Sequence, residues 1–300
     1  MLKNKVEIRP RLQELAQTLP KRSQDAHKGI CGRVGVIAGS TYMLGAAVLC
    51  ARAALRAGAG LVYLFTVDIA ALSIAIEYPE LIVVPLPTKE GYLSNKSIPI
   101  IQKVIQEKKI NSIAVGPGLG IHKNTKLLVH AMLSFCYEKH IPAVVDADAL
   151  TMLTEADLCR FASATQFVLT PHLGEFEKLF GYKPEDEKNR VLDSRRVTSK
   201  IKQVVVLKGH QSIVSSPDYH VINASGNEGM ATAGTGDVLS GVISGLIAQG
   251  LPVYDAAVLG TYIHGRAGDL ARDQLSIYSV IASDLIAFLG NVFQELVAVG

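Results

Sequence analysis

The sequence predicts a single-domain α/β fold with a mostly parallel central sheet and helices on both faces. Three observations predict it. Short apolar runs alternate with longer segments of helical periodicity, the pattern of repeated strand–helix units. The short runs are continuously apolar rather than alternating, as in strands covered on both faces. Apolar residues make up 49% of the 300 positions, enough to fill a large core. No internal repeat or low-complexity linker marks a second unit. The expected organisation is an N-terminal extension over 1–26 and one domain over 27–300.

In chain order, Arg11 to Leu19 reads as a helix stopped near Pro20. Val34 to Ala38 reads as a buried strand, Tyr42 to Ala57 as a helix of small residues, and Leu61 to Phe65 as a second strand. Leu81 to Val84 and Ile113 to Val115 continue the sheet. Thr125 to Lys139 has helical periodicity. Ala143 to Val145 and Phe167 to Leu169 are further strands. Thr170-Pro171 opens a helix, with Thr170 as N-cap and Pro171 in the first turn. Arg190 to Ile201 is a polar helix. Val204 to Leu207, Ser212 to Val214 and Tyr219 to Ile222 are strands, the first two separated by Gly209-His210-Gln211. Three helices close the chain: Gly236 to Gln249, Tyr254 to Arg272 and Ser279 to Leu296.

Composition removes several functions. Thirty basic and 27 acidic residues leave a net charge of +3, too balanced for a nucleic-acid or membrane-surface binder. The basic N-terminus has no apolar run behind it and does not read as a signal peptide. Even the apolar stretch from Gly45 to Val62 carries Arg52 and Arg56, which disfavours a membrane span. Cys31, Cys50, Cys136 and Cys159 show neither CxxC spacing nor a Cys/His cluster, so zinc and a disulfide framework are disfavoured. Reduced thiols and no export signal point to the cytoplasm.

The segment from Gly226 to Asp237 carries the strongest chemical signal. Glycines at 229, 234 and 236 are expected to adopt positive φ and let backbone approach a ligand. The helix beginning there offers unpaired N–H groups and a partial positive charge, which suit a phosphate. Asp237, kept ionised by that field, could accept a proton from a substrate hydroxyl. The plainer alternative is an N-cap Asp237 beside a glycine turn.

Other polar or Gly-rich segments also follow strands, on the edge where open α/β sheets bind ligands. Gly116 to Gly120 follows one strand; a tight turn is its alternative. Asp146 and Asp148 follow another and could hold Mg²⁺ through water, unless one caps the next helix. His172 and Glu175 lie in a first helical turn. Lys208 could meet a phosphate as a point charge, or be a solvated surface residue. Small residues at 45 to 47 would admit a planar ligand, or merely pack a helix closely. His264 and Asp269 read as mostly structural, with His264 near the nucleotide.

Together the segments AGSTYMLGAAVL, VGPGLG, VVDADAL, LTPHLGEF, VVLKGHQSIV, GNEGMATAGTGDVLSGVISGLIAQG and YIHGRAGDLA, in this order, resemble the ADP-dependent NAD(P)H-hydrate dehydratases. These are a branch of the ribokinase-like superfamily. The resemblance implies a three-layer α/β/α fold and a hydro-lyase that restores hydrated NADH or NADPH, with ADP ending as AMP and phosphate and Mg²⁺ assisting. It implies that Ala46, Gly118, His172 and Asp237 contact the hydrated cofactor. Lys208, Gly209, His210, Gln211, Ser212 and Gly236 would hold the adenine nucleotide, Thr235 and Gly236 would steady the transferring phosphoryl group, and Asp237 would be the base. A homotetramer is also implied. About thirty residues precede the match, so epimerase activity is expected from another protein. Two other functions compete: a small-molecule heterocycle kinase of the same superfamily, and a non-catalytic nucleotide-binding protein.

Overall fold

The computed structural model describes residues 12–20 and 28–300. The remainder of the expected extension, with Arg11 and His27, lies outside the described residues. The chain begins with α1 (Leu12–Gln17), β1 (Arg33–Ile37), α2 (Leu44–Arg56), β2 (Leu61–Val67), α3 (Asp68–Glu77) and β3 (Ile82–Leu86). A small hairpin follows, β4 (Thr88–Lys89) and β5 (Tyr92–Leu93), then α4 (Ser97–Lys108), β6 (Ser112–Val115) and α5 (Lys123–Glu138). Next come β7 (Ala143–Val145), α6 (Asp148–Thr151), α7 (Glu155–Cys159), β8 (Phe167–Leu169), α8 (Leu173–Phe180) and α9 (Glu187–Ile201). The last elements are β9 (Val204–Leu207), β10 (Ile213–Ser215), β11 (His220–Ile222), α10 (Thr235–Ala248), α11 (Val253–Leu275) and α12 (Ala282–Val299).

Nine strands form one sheet in the order β11-β10-β9-β8-β7-β6-β1-β2-β3. From β9 to β3 every pairing is parallel; β10 and β11 add antiparallel strands at one edge. Alternate residues of each strand face opposite layers. Val204 and Val206 pack with α10 and α11, whereas Val205 and Leu207 join the layer built on α5, α8 and α9. This is the expected three-layer α/β/α arrangement. The chain runs outward from β1 through β2 to β3, then returns to β6 on the other side of β1. The loops after β1 and β6 therefore flank the point where strand order reverses, the usual ligand crevice of such sheets.

Several expected boundaries move. The second helix starts at Leu44, not Tyr42, and the last at Ala282, not Ser279. The helix after β8 is capped by His172, because its Nδ1 accepts the Gly174 and Glu175 amides. Thr170, expected as that cap, is instead buried, with its hydroxyl directed at the Val145 carbonyl at 3.4 Å. Unforeseen elements are α3, α4, α7 and the hairpin. In α4, Pro99 sits in the first turn, where its missing N–H costs nothing. The hairpin loop Glu90-Gly91 has φ of 57° and 83°, the two positive values of a tight two-residue turn.

Of the described helices, α12 alone is long and apolar enough to cross a membrane, but one face of it packs on α1, α2 and α11 through Leu285, Leu289, Val292 and Leu296. The helix that matters most for function, α10, lies against α2 at very short range. A Cβ on Gly241 would fall 2.1 Å from the Cys50 carbonyl oxygen, and one on Gly245 would fall 2.7 Å from that of Ala54. Backbone here cannot yield without moving a whole helix. Gly241→Ala is expected to cost about 3 kcal/mol, seen as a lower urea midpoint at unchanged m-value.

Candidate active site

Every segment singled out from the sequence ends at the same edge of the sheet. Asp146 follows β7, Lys208 follows β9, and α10 begins beside both. The Asp146 carboxylate is 1% exposed. Its Oδ1 accepts from Lys208 Nζ at 2.8 Å, and its Oδ2 accepts from Ser240 Oγ, one turn into α10, at 2.6 Å. Lys208 Nζ also lies 3.7 Å from Glu175 Oε2 in the first turn of α8. Glu175 closes the capping box with His172, accepting the His172 amide at 2.8 Å. Lys208 is thus neither a solvated surface residue nor a free point charge. Burial disfavours its ammonium, but Asp146 and Glu175 outweigh burial and hold its pKa above the ordinary value.

The N-terminus of α10 rises above this cluster. Gly234 is the N-cap, with φ of 90° and no side chain to bond the first amides. Among the described residues, nothing accepts from the Thr235, Gly236 or Asp237 amides, so a ligand oxygen can. Asp237 is therefore not the N-cap but lies three residues further on. Gly229 and Gly236 do not adopt positive φ; Gly226 and Gly234 do. Gly229 and Gly236 are small for space instead: a Cβ on Gly236 would lie 3.2 Å from Lys208 Nζ.

Asp237 also departs from expectation in its charge. Burial first, and the neighbouring Asp146 second, push its pKa up to about 7, with Asp148 and Glu175 adding to the rise and Lys208 opposing it. The helix field does not keep this carboxyl fully ionised, because desolvation and like charges are stronger. Nothing among the described residues donates a hydrogen bond to it. An acid poised near neutrality and open to a ligand suits proton transfer.

A cavity of about 350 Å³ opens on one side of the α10 mouth. Its wall includes all of Lys208 to Ser212 together with Thr235 and Gly236. His264 reaches it from α11, its Nε2 2.8 Å from the Thr235 carbonyl oxygen, and burial drives its pKa down to about 4, so it is neutral. Asp269 is structural, accepting the Gly226 amide and the Asn227 side-chain amide, both at 3.0 Å. The sequence reading missed Asn223, which ties the cavity loop to α11 through Thr261, and Arg190, whose Nη1 donates to the His210 carbonyl at 2.8 Å. Arg190 stands in no Gly-rich or strand-end motif; Asn223 directly follows β11, and that strand-end position was the available signal.

Ala46, Gly118, His172 and Asp237 do not line that cavity. Ala46 and Gly118 meet each other at the switch point: a Cβ on Gly118 would sit 3.0 Å from the Ala46 Cβ and 2.5 Å from the Met43 carbonyl oxygen. One turn after Ala46, Leu49 touches the α10 N-cap, since a Cβ on Gly234 would lie 2.5 Å from it. His172 is joined to the cluster through Glu175, which accepts its amide and lies 3.7 Å from Lys208 Nζ. Asp148, the second of the paired acids, turns away and accepts the Gly120 amide at 2.8 Å.

The model of one family, NAD(P)H-hydrate dehydratase, matches residues 34–290. The chain belongs to the NAD(P)H-hydrate dehydratase family. It is 39% identical over 282 residues to a bifunctional NAD(P)H-hydrate repair enzyme of Moorella thermoacetica, covering 93% of this chain and 52% of that one. It therefore spans about half the length of the bifunctional relatives it matches. An ADP-dependent (S)-NAD(P)H-hydrate dehydratase of Neisseria meningitidis is 35% identical over 271 residues, with 89% of this chain and 86% of that one covered. An ADP/ATP-dependent NAD(P)H-hydrate dehydratase of Bacillus subtilis, co-crystallized with ATP/Mg2+, superposes with a TM-score of 0.80 at 28% identity, covering 95% and 97% of the two chains. A ribokinase-like superfamily protein of Enterococcus faecalis gives the same score at 25% identity, covering 94% and 93%, so the fold is ribokinase-like.

Because folding raises the Asp237 pKa from its ordinary 3.8 to about 7, its burial is tolerated while it is protonated and becomes unfavourable as pH climbs from about 4 through about 7. Asp237→Asn is expected to be more stable than the parent at pH 8 by about 2 kcal/mol, after allowing for solvent screening of a partly exposed group. The gain should vanish towards pH 4. Urea unfolding at the two pH values checks it, and a variant no more stable at pH 8 contradicts the assigned pKa.

Proposed function

We propose that the chain dehydrates hydrated NADH or NADPH back to the reduced cofactor, with ADP as phosphoryl donor and AMP and phosphate as products. The α10 mouth carries the proposal: three unengaged amides stand beside a half-buried carboxyl poised near neutral pH, with a nucleotide-sized cavity on one side. ADP would occupy the cavity, held by Lys208 to Ser212 and Gly236. The hydrated ring would lie towards Ala46 and Gly118, with His172 at the margin. Asp237 takes the proton from the ring hydroxyl as its oxygen attacks the terminal phosphorus of ADP and the bond to AMP breaks. The Thr235 and Gly236 amides stabilise the charge that develops on the moving group. Phosphate then leaves the ring in place of hydroxide and, as the base at hand, takes up the neighbouring ring proton, so that the C–H electron pair restores the double bond.

The donor set supports a Mg²⁺ ion carried mainly by the nucleotide. Among the described residues no group of three or more His, Cys, Asp and Glu side chains gathers to cage a cation. Both Asp146 oxygens are engaged, by Lys208 and Ser240. Phosphate oxygens and water would supply most ligands, with Asp148 reaching the ion through water. Such an ion neutralises charge on the phosphates. The four cysteines are unpaired, which supports a reducing, cytoplasmic setting.

We also propose a homotetramer. Ile69, Leu72 and Ile76 form one face of α3 and are each 72% exposed, next to edge strand β3. A contiguous apolar face of this kind is a candidate for burial between copies. Leu72→Glu with Ile76→Glu should lower the mass measured by light scattering; an unchanged mass puts the interface elsewhere.

For the activity, absorbance of NADH should return from its hydrate only when ADP is supplied. Asp237→Asn should retain nucleotide binding and lose turnover at least about a hundredfold, as for a lost general base. Phosphorylation of a heterocyclic alcohol with no response to ADP would favour the kinase reading. Nucleotide binding with no turnover of either substrate would leave a binding protein.

A further inference from the structure

The β4–β5 hairpin leaves the sheet at the end of β3 and folds over the switch-point loops. The Thr41 amide donates to the Gly91 carbonyl at 2.8 Å, and a Cβ on Gly91 would lie 3.0 Å from the Tyr42 ring. Tyr92 presses on the loop after β6, where a Cβ on Gly120 would be 2.3 Å from its ring. On its other side Tyr92 stacks on His122, ring centroids 5.0 Å apart and planes 5° from parallel. Glu90 Oε2 lies 3.3 Å from His122 Nε2, and the Tyr42 and Tyr92 centroids are 5.9 Å apart. Three rings from three loops are thus braced together, yet Tyr42 is 71% exposed. In a chain with only 6% aromatic residues, a rigid ring presented to solvent at a ligand crevice is available to stack on another ring.

Position selects the ring. Tyr42 stands four residues before Ala46 and next to Met43, whose carbonyl oxygen abuts Gly118. It therefore stands beside the residues assigned to the hydrated cofactor, and outside the nucleotide cavity, whose wall contains none of these aromatics. A hydrated dinucleotide carries two ring systems. One must reach Asp237, and ADP occupies the cavity beyond, so the adenine of the dinucleotide needs a place outside both.

We infer that Tyr42, braced by Tyr92 and His122, is a specificity-determining platform on which the adenine of the hydrated dinucleotide stacks. The inference rests on the dehydratase reading for the identity of the ligand. It makes the enzyme selective for dinucleotides over mononucleotides, because a hydrated nicotinamide mononucleotide has no second ring to offer. Aromatic–base stacking of this type is tolerant of base identity and strengthens binding without touching the reacting atoms.

Equilibrium binding of the product NADH, and of reduced nicotinamide mononucleotide, tests it on the whole protein. Tyr42→Ala should weaken NADH binding about tenfold, leave the mononucleotide unchanged and leave ADP binding unchanged, the last reporting an intact fold. Tyr42→Phe should bind NADH as the parent does. Equal NADH affinity in parent and Tyr42→Ala, or equal losses for NADH and the mononucleotide, overturns the platform. Parent protein that binds NADH through Tyr42 but does not turn over the hydrate would reject the dehydratase reading while leaving the platform standing. Parent protein that binds no NADH rejects both.

Discussion

The site depends on one buried ion pair. Asp146 and Lys208 approach to 2.8 Å across the end of β8, from the ends of β7 and β9, and Ser240 ties the same carboxylate to α10. Removing two charges from water is unfavourable, and such a pair is tolerable only when its remaining lone pairs and protons are satisfied. Here Ser240 donates to the second carboxylate oxygen of Asp146, and Glu175, 3.7 Å from Lys208 Nζ, adds a second negative charge beside the ammonium. The result is positional more than stabilising. Strand β7, strand β9, helix α8 and helix α10 are held at one point, and the mouth of α10 is aimed at the cavity. The pair also sets opposed charges next to Asp237, where Asp146 adds to the rise that burial causes and Lys208 opposes it.

Local strain accompanies this geometry. Ala147 has φ of 50° and ψ of −125°, a conformation a side chain resists. It separates Asp146, which points to Lys208, from Asp148, which points to the Gly120 amide. Consecutive acids on a regular backbone could not serve partners on two different loops in this way. Gly116 adds a close approach: a Cβ there would fall 1.8 Å from the Asp146 carbonyl oxygen. Both features lie at strand ends that carry the proposed chemistry, where surrounding packing can over-determine them.

Much of this was legible in the sequence because parallel strands covered on both faces write themselves as short apolar runs. Ala143 to Val145, Phe167 to Leu169 and Val204 to Leu207 match to the residue. The Gly-rich start of α10 was equally plain. What escaped notice depends on distance or on exposure. Asp146 meets Lys208 and Ser240 only after 62 and 94 residues of chain, and no local pattern encodes that. The raised pKa of Asp237 follows from burial first and from Asp146 second, neither of which the helix field predicts. Helix α3 hid because its outer face is apolar too, which erases the helical period. The hairpin was readable in principle from Glu90-Gly91 between Thr88 and Tyr92, but two-residue strands carry almost no alternation. His172 displaced Thr170 as N-cap because its ring nitrogen reaches two amides that the threonine cannot.

A crystal structure of the protein with ADP bound tests the central claim most directly. The account predicts the terminal phosphate of ADP within about 3 Å of the Thr235 and Gly236 amide nitrogens, its adenosine in the cavity walled by Lys208 to Ser212, and the Asp237 carboxyl beside that phosphate on the side of Ala46 and Gly118. A terminal phosphate bound away from the α10 amides, or an adenosine seated against Ala46 and Gly118, would contradict it.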